Sequence, residues 1–174
     1  MSASQPSFLE KLFPRQANND YQGSPVALYA FCVLLLPFTF RSFVHFLKDD
    51  SGVHSIASIL VFPGDPDPNV VIHMYSSLWG GQQFIMLLLY YLVLVRYRNL
   101  LPLLWLILIL ETGFRYLTGS LHPMTDAHYT YRPPGAYINL PILTLSSIML
   151  YLSTRTRNAK EAPEPEAGSE QPIS

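Results

Sequence analysis

Four apolar runs constrain what this chain can become: Pro25 to Leu47, Val70 to Val95, Leu100 to Leu117 and Ala136 to Leu152. A helix rises about 1.5 Å per residue, so each run is long enough to cross a hydrocarbon core of about 30 Å, given some allowance at the ends. Lipid offers the backbone no hydrogen-bond partner, and a run buried in it must satisfy its own amides as a helix. The expected fold is therefore all-α: an integral membrane four-helix bundle over 25–153, with spans at about 25–47, 70–95, 100–117 and 136–152. Pro37 should kink the first span. Arg96-Tyr97-Arg98-Asn99 leaves room only for a tight turn, so spans two and three should form an antiparallel hairpin.

Composition agrees with this. Charged residues are 13% and hydrophobic residues 49% of the 174 positions, against about a quarter charged in a soluble domain. A net charge of -1 provides no electrostatic basis for binding nucleic acid. Cys32 stands alone, which excludes an internal disulfide, a CxxC redox pair or a thiolate cluster. It reads as a small buried apolar residue.

The flanks are polar. Residues 1–24 read as a loosely ordered leader with one amphipathic piece, Phe8 to Phe13, closed by Pro14. Residues 154–174 are acidic, rich in proline and without aromatics, the composition of a disordered tail. Between spans one and two, Val53 to Phe62 is half apolar and suggests a short surface helix. The segment Pro63 to Asn69 is all turn formers.

Basic residues give an orientation. Four spans put both termini on one side, with Lys11, Arg15, Arg96, Arg98, Arg155, Arg157 and Lys160. The other side holds Arg41, Lys48, Arg115 and Arg132. The positive-inside rule then makes both termini, and the hairpin between spans two and three, cytoplasmic. A bacterial inner membrane is the default location.

With this orientation every span brings polar residues to the outer half. His73, Ser76, Ser77, Gly80 and Gln83 form one stripe on span two. Glu111 and Arg115 lie four apart on span three, the favourable order for an ion pair. Arg41 and His45 lie one turn apart on span one, and Asn139 opens span four. Intramembrane ionisable groups cost about 2.5–3.5 kcal/mol each on insertion scales. Two readings stay open: a structural network that locks the helices in register, or an outer-leaflet polar pocket. The ligand-binding candidates are Arg41, His45, His73, Ser76, Ser77, Gln83, Glu111, Arg115 and Asn139. His45 and His73 on separate spans would suit a haem if they faced each other. Asp49, Asp50, Asp65 and Asp67 lack EF-hand spacing, and His122, Asp126 and His128 match no zinc spacing, so no metal is expected.

The region from about His73 to Tyr151 resembles a family of small bacterial four-helix membrane proteins grouped with DoxX-like proteins. The likeness rests on Ser76-Ser77-Leu78-Trp79-Gly80-Gly81, on Gly113-Phe114-Arg115, and on Arg132-Pro133-Pro134-Gly135 with Asn139-Leu140-Pro141. Asn139 departs from the acid such families often carry at the start of the fourth helix. The resemblance implies fold and membrane location, with no reaction. Because some DoxX-like proteins are associated with quinol oxidation, it adds quinone as a ligand class.

The leading expectation is a non-catalytic accessory subunit or binder of a lipid-like small molecule, with membrane lipids, a membrane protein or a second copy as partners and no required cofactor. The alternatives are a membrane enzyme or redox subunit acting on a quinone or lipid, and a small transporter.

Overall fold

The computed structural model describes residues 7–155, and over these the chain is all-helical. A short α1 (Phe8–Leu12) precedes four long helices: α2 (Pro25–Leu47), α3 (Asn69–Arg96), α4 (Leu101–Leu121) and α5 (Gly135–Thr154). Each of the four is long and apolar enough to cross a membrane. The sequence marks their starts. Ser24 caps α2, its side chain accepting from the Val26 amide, with Pro25 in the first turn. The Asp67 carboxylate accepts from the Asn69 amide at the start of α3. α2 continues through Pro37, and α5 through Pro141.

α4 runs one turn further than its apolar run, to Leu121, because polarity does not end a helix. The backbone restriction that Pro123 places on His122 comes five residues later than the last leucine of the run.

Packing does not follow chain order. α2 packs chiefly on α3, α4 on α5, and α2 also on α5. α3 and α4 are joined by the shortest connection, with a single 3₁₀ turn at Arg98–Leu100, yet they touch little. The hairpin expected of spans two and three thus exists as a connection, and its helices find their main partners elsewhere. Phe31 of α2 fills the space between them. Its ring meets Tyr90 edge-on at 5.4 Å and Trp105 edge-on at 5.0 Å, the favourable geometry for aromatic quadrupoles.

One end of the bundle gathers α1, the α3–α4 turn and the last residues of α5. Lys11 Nζ donates to the Thr154 carbonyl at 2.8 Å, and Asn99 bonds Gln16 and Asn18. Residues 7–24 are therefore docked rather than loosely ordered: a capping box of Ser7 and Glu10 forms α1, and Leu12 is buried. The tail from 156 onward lies outside the described residues.

The opposite end carries both long loops. Val53 to Phe62 forms turns, not a helix. The loops are strapped together by Leu60 N–H to the His128 carbonyl at 3.1 Å and Thr130 N–H to the Ser58 carbonyl at 2.8 Å. Cys32 is exposed on α2, on the face that meets lipid rather than the core.

The apolar core sits toward the terminal end, around Phe31, Leu35, Leu87, Tyr90, Leu104, Trp105 and Leu108. Toward the loop end, α4 beyond Gly113 and α5 before Pro141 are largely exposed. The bundle is closed at one end and open at the other.

Gly80 controls the α2–α3 contact. A Cβ there would lie 2.5 Å from the backbone carbon of His45, whereas a Cβ at Gly113 meets nothing within 4 Å. Gly80→Ala should force α2 from α3 at a cost of about 1–3 kcal/mol. Gly113→Ala should leave stability unchanged or slightly raised. Thermal unfolding in detergent compares the two.

Candidate functional site

The middle of the bundle holds a three-membered charge cluster. Glu111 accepts a hydrogen bond from Arg115, one turn later on α4, and pairs with Arg41 of α2 at 3.6 Å. Trp79 of α3 lies beneath both arginines, its ring centroid 5.6 Å from the Arg41 guanidinium carbon and 5.9 Å from that of Arg115. Phe38 contacts the Arg41 guanidinium at 5.5 Å. Each such contact contributes roughly 0.5–2 kcal/mol, more as water is excluded.

A cavity of about 150 Å³ adjoins this cluster, walled by α2, α3 and α4. Its polar lining is Arg41, Ser42, Gln82, Gln83, Tyr90 and Glu111; Phe38, Trp79, Met86 and Leu87 complete it. Gln83 is only 8% exposed and Tyr90 4%. Both amide atoms of Gln83, the Tyr90 hydroxyl and Arg41 Nε are buried without a hydrogen-bond partner. An unmet buried polar group costs about 1–3 kcal/mol, so several bordering one cavity form a marked local deficit.

Glu111 lies ten residues from each end of α4, and Gln83 fourteen and thirteen from the ends of α3. The cavity is thus near the mid-length of both helices. The extra turn of α4 moves its centre to Glu111.

The predicted candidates divide. Arg41, Glu111, Arg115 and Gln83 come together. Ser76, Ser77 and His73 do not reach the cavity. The Ser76 hydroxyl donates to the Ser51 carbonyl at 2.9 Å and that of Ser77 to the Phe46 carbonyl at 3.2 Å. His73 Nε2 meets His54 Nε2 at 2.9 Å, while His54 Nδ1 donates to the Ile59 carbonyl. These side chains serve the chain just past the end of α2, where carbonyls lack helical partners. His45 is buried beside Trp79, with Nδ1 donating to the Ser51 carbonyl at 2.8 Å. His45 and His73 therefore each have their own partner rather than each other. Asn139 is half-buried on α5 and does not line the cavity.

Tyr90 and Trp79 join the site although neither is among the polar candidates of the sequence. Trp79, Gln83, Met86 and Tyr90 fall at i, i+4, i+7 and i+11, a stripe that shares Gln83 with the serine stripe.

Among the described residues no group of three histidines, cysteines or carboxylates is placed to hold a metal ion. His122 stands apart from the bond that His128 makes with Thr125, and Asp50 and Asp67 cap local turns instead. No family model, curated protein or solved structure matches the chain.

Asp50 holds the loop that carries Ser51. Partial burial pushes its carboxyl up, but bonds from the side chain and amide of Ser55 and the amide of Gly52, with Lys48 at 3.6 Å, outweigh this and hold it at about 2. A depressed carboxylate stabilises the fold above its unfolded pKa of 3.8, and that contribution fades as pH falls toward 2. The Gly52 and Ser55 amides should lose hydrogen-exchange protection across that window, after correction for intrinsic rates. In Asp50→Asn the protection should be low and independent of pH there.

Proposed function

We propose that the protein binds a lipid-like small molecule, whose polar head enters the cavity bordered by Arg41, Gln83, Tyr90 and Glu111 and whose tail lies along apolar surface. The observation that carries this reading is Gln83. A network built only to lock helices in register has no reason to leave a buried amide with neither donor nor acceptor satisfied. The Arg41–Glu111 pair ties α2 to α4 and so has structural value of its own. Gln83 has no such contact and separates the two roles.

Access follows from the packing. α3 and α4 touch little, and the loop-end half of α4 and α5 is uncovered. An amphiphile can then approach from the membrane without unfolding a helix pair. The walls Phe38, Met86 and Leu87 suit the first carbons of a chain.

We further propose that both termini are cytoplasmic. The terminal end of the bundle carries Lys11, Arg15, Arg96, Arg98 and Arg155, while the loops carry Lys48 and Arg132. Single cysteines placed in the loop at Asp65 and in the turn at Asn99 of a Cys32→Ser background test this. An impermeant maleimide added to intact cells should label position 65 and leave position 99 unlabelled; the reverse pattern would invert the topology.

For the cavity, native mass spectrometry of the protein released from mild detergent should show a bound species of a few hundred daltons. Gln83→Leu should lose it. Freed of an unmet amide worth about 1–3 kcal/mol, the same variant should also unfold at a higher temperature than ligand-free wild type. A wild type that carries nothing, or a variant that carries the same species, would sink the proposal.

A further inference from the structure

We infer that the head taken by this cavity is a compact oxyanion, a carboxylate or a phosphate; the inference rests on the amphiphile reading above. Three features converge on it.

The first is charge. Arg41 and Arg115 share a single carboxylate, Glu111. The cluster therefore carries one positive charge that no acid in it neutralises. Arg41 and Glu111 are the charged residues of the cavity wall, so the wall supplies no second acid. Near the centre of a membrane helix an uncompensated cation is costly. A bound anion removes that cost, and a neutral head does not.

The second is hydrogen-bond polarity. The unpartnered atoms bordering the cavity are Arg41 Nε, the two terminal atoms of Gln83 and the Tyr90 hydroxyl. The arginine atom is a donor only, the tyrosine has a donor to offer, and the glutamine supplies one group of each kind whichever way its amide is turned. Donors outnumber obligate acceptors, and the complement is a group rich in acceptors. Guanidinium is the side chain best matched to carboxylate and phosphate oxygens. Trp79 and Phe38 lie against the Arg41 guanidinium and fix its plane beforehand.

The third is size. A cavity of about 150 Å³ is comparable to an engineered one that holds benzene. It has room for a carboxylate or phosphate with the first atoms of a chain.

The test uses the full-length protein in detergent, with binding of four probes followed by calorimetry: oleate, oleoyl phosphate, oleyl alcohol and inorganic phosphate. Oleate or oleoyl phosphate should bind at least about tenfold more tightly than oleyl alcohol, about 1.4 kcal/mol, and inorganic phosphate should bind weakly. Glu111→Gln removes the one acid and should strengthen oleate binding several-fold. Equal affinity for oleyl alcohol and oleate would overturn the oxyanion inference and leave the amphiphile reading standing. Inorganic phosphate binding as tightly as oleoyl phosphate would keep the oxyanion and overturn the amphiphile. No binding by any probe overturns both. Loss of oleate binding in a folded Glu111→Gln protein would also overturn the inference, because Glu111 would then be a contact for the head rather than a counter-charge.

Discussion

The structure depends on one carboxylate serving two arginines in the middle of an apolar helix. Removing three charges from water is expensive, and ion pairing alone returns only part of that cost. Here the return comes from several directions. Arg115 binds Glu111 along α4, Arg41 reaches it from α2, and both guanidinium groups lie over the Trp79 ring of α3. Three helices are thereby tied at one depth. The residual positive charge is the part that this arrangement does not balance, and it sits beside the cavity that Gln83 and Tyr90 border with unpartnered groups.

For Trp79 to lie under Arg41, α3 must come very close to α2. Gly80 permits this, since any larger side chain would meet the His45 backbone. Ser76 and Ser77, one turn earlier on α3, then take up carbonyls in the last turn of α2 and in the following loop. The stripe of small residues on α3 is thus a packing device. Its contribution to the site is indirect: it sets the distance at which Trp79 and Gln83, on the adjacent face, reach α2 and α4.

Much of the fold could be read from the sequence, because hydropathy and span length leave the backbone few options in lipid. The Glu111–Arg115 pair was legible from its spacing and Arg41 from its depth. Partner choice was not. The short turn after Arg96 suggested α3 on α4, but Phe31 wedges between Tyr90 and Trp105, and the helices pair across the chain instead. Periodicity gives the face of a helix without saying which neighbour it meets. His73 and the serines were therefore assigned to a common interior when they serve the loop after α2. The docking of residues 7–24 depends on single bonds such as Lys11 to Thr154, which no local pattern encodes. The end of α4 at Leu121 was not legible either, because the apolar run stops at Leu117 while the helix continues toward Pro123.

The two halves of the bundle have different physical tasks. The terminal half is dry and interlocked, with Phe31, Trp105 and Tyr90 in edge-to-face contact. Such a core resists local adjustment, because its side chains are held by neighbours on three helices. Tyr90 belongs to it by its ring and to the cavity by its hydroxyl. The rigid half therefore presents a fixed polar floor to a half that is open. Were the floor free to rearrange, Gln83 and Tyr90 would be expected to turn toward each other or toward Glu111 and satisfy themselves. Rigid packing below, close helix approach enforced by Gly80 at the side and a shared carboxylate above together keep these groups apart. An unmet polar pocket persists inside a membrane bundle only when its walls cannot collapse onto it, and this bundle has that construction.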